Sequence, residues 1–170
     1  VEYNDRGNTS LRSREHLVFK ISFKHTNPEN RKMRAEKILA VILRCSAGLL
    51  LLALAPIFFP HSWMAAINRA IGLGELPDTA IVGYLTRSLS ALYAYHGALL
   101  LYLSLDVRRY LPLIRCLAVV NMVFGALLLS LDIYLGMPRP WTIGEGPFII
   151  GLSAAIFGIA ASLKRHMATA

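Results

Sequence analysis

The stretch TAIVGYLTRSLSALYAYHGALLLYLSL, residues 79–105, decides how this chain is read. A helix needs about 20 mostly apolar residues to cross a bilayer, and this run is long enough. It nevertheless carries Arg87 and His96, and an ionisable group inside a spanning helix is expensive enough to need a partner or a role. At about 100° per residue, Arg87 shares a side with Gly83, Ser90, Ala91, Ala94 and Ala98. Small residues allow another helix to approach closely, so the arginine is expected to face protein. Leu85, Leu89, Leu92, Leu99 and Leu103 form the opposite side, with His96 among them, and that side is expected to face lipid.

Three further apolar runs flank this one. The first covers 38–59 and is closed by Pro60; its Arg44 is near enough to the start to snorkel to the headgroups. The third covers 112–135, opened by Pro112 and stopped by Gly136. The last, 148–163, is short for a full crossing and reaches about 20 residues only if 144–147 join it. Between Pro60 and Pro77, Trp63, Met64, Ile67 and Ile71 share a helical face, with Asn68 and Arg69 away from it. That pattern predicts a short amphipathic helix on the outer surface, ended by Gly72 and Gly74, with Asp78 or Thr79 capping the next span. The fold expected is all-α: an integral membrane four-helix bundle over 38–166, with a short outer amphipathic helix.

Hydrophobic residues make up 55% of the chain and mean hydropathy is +0.50, too apolar for an ordinary soluble domain. Net charge is +8, and ten of the 18 Lys and Arg lie within residues 1–44. Beside membrane spans such a flank reads as cytoplasmic and attracted to anionic lipid, so a nucleic-acid partner is not expected. Basic residues recur at 108–115 and 164–165, whereas the outer connections hold only Arg69 and Arg139 beside Glu75, Asp78 and Glu145. The asymmetry predicts four crossings with both termini cytoplasmic. Residues 1–37 are polar and basic and contain no signal-peptide core. Their alternating Leu17, Phe19, Ile21 and Phe23 have no partner strand, so disorder or weak order is expected. Met33 is a candidate native start, and residues 1–32 are expected to be dispensable for folding. Cys45 and Cys116 are too few for a disulfide framework or a zinc site and read as small buried hydrophobes.

Two groups of polar residues could carry chemistry. Arg87 lies about 12 Å below the outer start of its span and Asp132 about 5 Å below the outer end of the third. Glu145 sits where the fourth begins. These three could meet as an anion or proton site, but a structural ion pair locking the bundle is the preferred reading. His96 and Asn121 both fall about 14 Å above the cytoplasmic ends of their helices, which permits a hydrogen bond although His96 points to the leucine side. Haem ligation by His96 is disfavoured, since no second intramembrane histidine completes a pair. The tyrosines of the span read as interface anchors and packing. No metal site and no cofactor is expected.

In the last span Gly151, Ala154, Ala155, Gly158 and Ser162 form small-x-x-x-small patterns. Packing within the bundle suffices to explain them, and a homo- or hetero-oligomer face is the rival. No phosphate-binding loop, nucleotide fingerprint, zinc-protease motif or nucleophile elbow is present. Four short spans, a basic N-terminal flank, an outer amphipathic connection and a Gly-rich last span resemble small bacterial membrane proteins of DoxX-like plan. The resemblance covers 33–166 and is one of layout. It implies a bacterial inner-membrane location, and some proteins of that plan are thought to associate with quinone-linked oxidoreductases. The expected function is a non-catalytic accessory or assembly subunit of a membrane complex, with the lipid bilayer as first partner. The alternatives are a small-molecule or proton carrier using Arg87, Asp132 and Glu145, and an oxidoreductase subunit that borrows a quinone or haem.

Overall fold

The computed structural model of the chain describes residues 28–168. The alternating run at 17–23 and the expected disorder of 1–27 lie outside the described residues. The chain divides into two units, Val1–Ala35 and Glu36–Ala170. The described part of the first unit, 28–35, is helical and opens α1 (Pro28–Leu51), where at most weak order was expected. Pro28 suits a first helical turn, and Glu29 puts a carboxylate where the helix dipole favours one.

The second unit holds the rest of α1 and then α2 (Leu54–Ile57), α3 (His61–Ala70), α4 (Ala80–Leu103), α5 (Leu111–Leu135), α6 (Arg139–Gly144) and α7 (Gly146–Ala168). No strand occurs among the described residues. Three segments are long and apolar enough to cross a membrane: Glu29–Ile57, Leu111–Leu135 and Arg139–Leu163. At 24 residues α4 has the length but is not among them. Thr86, Arg87, Ser88, Ser90, His96 and four tyrosines lower its apolarity. Large apolar side chains such as Leu49, Leu85, Leu92, Val123, Leu127 and Leu131 are each more than half exposed. A surface that apolar, on helices of this length, suits hydrocarbon and not water.

The first apolar run is not one helix. Pro56 has no N–H to donate to the Leu52 carbonyl, and its ring would collide with that carbonyl. The chain turns at Leu52 and Ala53, makes the single turn of α2, and leaves the helical path at Pro60, whose ψ is 150°. The last run gains length in the opposite way. The Glu145 N–H bonds the Trp141 carbonyl at 3.0 Å and the Ile149 N–H bonds the Glu145 carbonyl at 3.1 Å, which carries the ladder from α6 into α7. Residues 144–147 therefore do contribute to that segment.

Sequential neighbours run antiparallel. On α1 the buried Leu39, Leu43, Ser46 and Ala47 form one face, and it meets α4 at Gly97. A Cβ there would stand 3.0 Å from the Ala47 carbonyl oxygen, the Leu50 Cβ and the Leu51 nitrogen, so only glycine permits this approach. α5 buries Leu111, Ile114, Ala118, Gly125 and Asp132 at near-heptad spacing. α7 answers with Gly146, Ser153, Ile156, Ala160 and Leu163, the pattern of helices crossing at a shallow angle. They approach closely at Gly146, where a Cβ would stand 2.7 Å from the Leu129 Cβ and 2.9 Å from the Gly125 carbonyl oxygen.

Two expectations about helix faces change. On α4, Leu85, Leu89 and Leu92 are exposed, but Leu103 is fully buried, while Ala91 and Ala98 are exposed. A wheel drawn for the whole helix treats its ends alike. The later half of α4 is flanked by α1 at Gly97 and by α5 at Asn121, so its buried sector is wider and rotated. On α7 the small residues Gly151, Ala154, Ala155, Gly158 and Ser162 are all exposed, and a Cβ on Gly151 or Gly158 would meet nothing within 4 Å. The α5 contact uses the other side, so these patterns are not what packs this pair. Cys45 and Cys116 are exposed as well, because they too lie outside the helix contacts.

Candidate functional site

Arg87 defines the site, and its partners are backbone. Its Nε donates to the Ile57 carbonyl at 3.1 Å, Nη2 to the Phe59 carbonyl at 3.2 Å, and Nη1 to the Gly83 carbonyl, one turn back on its own helix, at 3.1 Å. The first two acceptors are open because of Pro60. Its extended ψ of 150° swings the chain away, so the amides of 61 and 63 that would have continued the helix do not reach the Ile57 and Phe59 carbonyls. Helix C-termini carry partial negative charge, which a cation complements. Gly83 leaves room for the arrangement, since a Cβ there would stand 3.1 Å from Nη1. Below it, the Thr86 hydroxyl donates to the Val82 carbonyl at 2.9 Å and lies 4.0 Å from the Met64 sulfur, which holds α3 against α4. Thr79 is the cap of α4, accepting the Val82 N–H at 3.4 Å.

The expected cluster of Arg87, Asp132 and Glu145 is not assembled. No ion pair joins Arg87 to either acid among the described residues. The acceptors that reach Arg87 are not acids but the Ile57 and Phe59 carbonyls, left open where the chain departs from the helical path at Pro60. Glu145 stands at the joint of α6 and α7 and accepts the Tyr93 hydroxyl at 3.3 Å. Tyr93 thus has a polar partner that its reading as packing did not supply. Asp132 is 7% exposed, and its Oδ2 has no hydrogen-bond partner among the described residues. Its backbone carbonyl accepts Met137 N–H at 2.9 Å where Gly136, at φ 66°, ends α5.

The second polar pair is brought together. Asn121 Nδ2 lies 3.4 Å from His96 Nε2. Which group donates follows the tautomer of the imidazole. His96 therefore faces α5, not lipid. At the far end of α4 the Tyr102 and Tyr110 hydroxyls are 2.6 Å apart, and this bond pushes the Tyr110 phenol above its ordinary value. Arg108 pairs with Glu36 at 2.7 Å, linking α1 to the connection between α4 and α5. No group of three or more His, Cys, Asp or Glu able to hold a metal ion occurs among the described residues. The signal for Arg87's role was legible as two prolines four residues apart, ending one apolar run opposite an arginine in the next. Nothing in the sequence pairs Tyr93 with Glu145. Comparison with protein-family models, curated proteins and solved structures returned no match.

Proposed function

We propose that this chain is a four-span protein of the bacterial inner membrane, with both termini cytoplasmic, that acts as a non-catalytic accessory or assembly subunit. α4 is the fourth span of the proposed bundle, and α3 lies at the outer surface with its exposed Trp63, Ile67 and Ile71 turned to lipid. The observation that carries the reading is the guanidinium of Arg87, held by three backbone carbonyls. The most conspicuous charge in the spans thereby has a structural occupation. The exposed line Gly151, Ala154, Ala155 and Gly158 is the face we assign to the helix of a partner subunit. Affinity purification from native membranes in mild detergent tests this. A stoichiometric partner that is lost in Gly158→Leu supports it, and a chain that purifies alone, in the variant and unchanged, overturns it. The carrier is the second reading, favoured by the buried Asp132, whose Oδ2 has no hydrogen-bond partner among the described residues.

A further inference from the structure

Arg115 sits on α5 one turn in from Leu111, with its Cζ 5.5 Å from the centroid of the Phe157 ring on α7. Its Nε is buried without a hydrogen-bond partner, and no ion pair reaches it among the described residues. The acids of the neighbouring segments have other partners. Glu36 holds Arg108 at 2.7 Å, and Asp106 accepts the Arg109 backbone N–H at 3.1 Å. Arg87 shows what the same side chain does where protein supplies acceptors; at Arg115 no acceptor occurs among the described residues. The residue lies about 6 Å along the helix from the start of α5, and an extended arginine reaches that far to the headgroup layer. Its planar fork matches two oxygens of a phosphate, and the cytoplasmic leaflet is rich in anionic lipid. Exposed Val119, one turn further along the same side of the helix, offers a surface for an acyl chain.

We propose that Arg115 binds the headgroup phosphate of an anionic phospholipid of the cytoplasmic leaflet, with the guanidinium forked on two phosphate oxygens and backed by the Phe157 ring. This rests on α5 being a span with its Arg108 end cytoplasmic. The test uses the delipidated full chain in neutral detergent, titrated with phosphatidylglycerol, with diacylglycerol and with inorganic phosphate, and read as the shift in melting midpoint. Phosphatidylglycerol is expected to stabilise the unchanged protein, and the other two are not. Hydrogen bonds to a charged group contribute about 1.5–3 kcal/mol, so Arg115→Gln should weaken lipid binding about tenfold or more. Arg44→Gln, which removes an exposed arginine of α1, should not. Arg115→Lys keeps the charge without the fork and should bind more weakly than the unchanged protein. It also serves if the glutamine variant fails to fold. Unaltered binding in either Arg115 variant, or equal stabilisation by inorganic phosphate, overturns the lipid site. Labelling Cys116 with an impermeant maleimide in phosphatidylglycerol liposomes separates the two failures. A shielded Cys116 leaves the spanning of α5 intact whatever Arg115 does, and a labelled one overturns the span and this proposal together.

Discussion

Replacing Arg87 with methionine leaves the volume roughly filled and removes every donor. Ile57 and Phe59 then keep their carbonyls in a half-buried setting with no amide to turn to. The Gly83 carbonyl is less affected, because a helical amide already serves it. An unsatisfied buried acceptor costs about 1–3 kcal/mol. Two of them place Arg87→Met at about 2–6 kcal/mol of destabilisation, with the lower part of that range favoured where water reaches the turn. At about 2–4 °C per kcal/mol for a chain of this size, the melting midpoint in detergent should fall by roughly 4–24 °C. Arg87→Lys should recover only part, since one ammonium cannot reach three separated carbonyls. The decisive arm is the double variant with Asp132→Leu. Because Asp132 is not a partner, its effect should add to that of Arg87→Met within about 0.5 kcal/mol. Recovery of stability in the double variant would refute the carbonyl assignment and restore the ion pair expected from sequence. An unchanged midpoint in Arg87→Met would refute it as well.

Gly146→Ala should destabilise, because its Cβ would lie 2.7 Å from that of Leu129, with overpacking of this kind costing about 1–3 kcal/mol. Gly151→Ala, facing open space, should be neutral or stabilising by up to about 1 kcal/mol from helix propensity; paired thermal melts check both signs. Tyr93→Phe should lower stability by about 1 kcal/mol through the lost hydroxyl donor to Glu145, and Glu145→Gln, which retains an acceptor, should lower it less.

The helices themselves were legible because their apolar runs and terminating residues are strong signals. Gly136 stops α5 and Thr79 caps α4 as their residue types predict. Breaks and faces were not. Pro56 lies inside a run whose hydropathy alone says span, so apolarity outweighed the missing N–H. His96 sits among leucines on a helical wheel, yet a wheel has no knowledge of how many neighbours a given turn of the helix will acquire. The small residues of α7 illustrate the same gap. Gly151 and Gly158 satisfy a packing pattern, but Gly125 and Gly146, which no repeated motif singles out, make the close crossing. Arg87 was recognised as inward-facing and in need of a partner. Its partners do not show in the sequence because carbonyls are present at every residue and become available only where the chain leaves the helix, as it does at Pro60.

The bond from Arg87 to the carbonyls of Ile57 and Phe59 also bears on how the chain is made. A single arginine near the middle of a helix adds about 2.5–3.5 kcal/mol to the free energy of its entry into a bilayer. α4 has too little apolarity around Arg87 to be an ordinary candidate for entry by itself. Two of the three groups that satisfy the guanidinium belong to a segment that leaves the ribosome before α4 does. In the proposed four-span arrangement the early hairpin is ordered in time as well as in space: α1 and α2 lie in the membrane, with their frayed end exposed, before Arg87 arrives. In that arrangement a chain lacking those turns would leave α4 stalled at the surface, although not one residue of α4 had been altered.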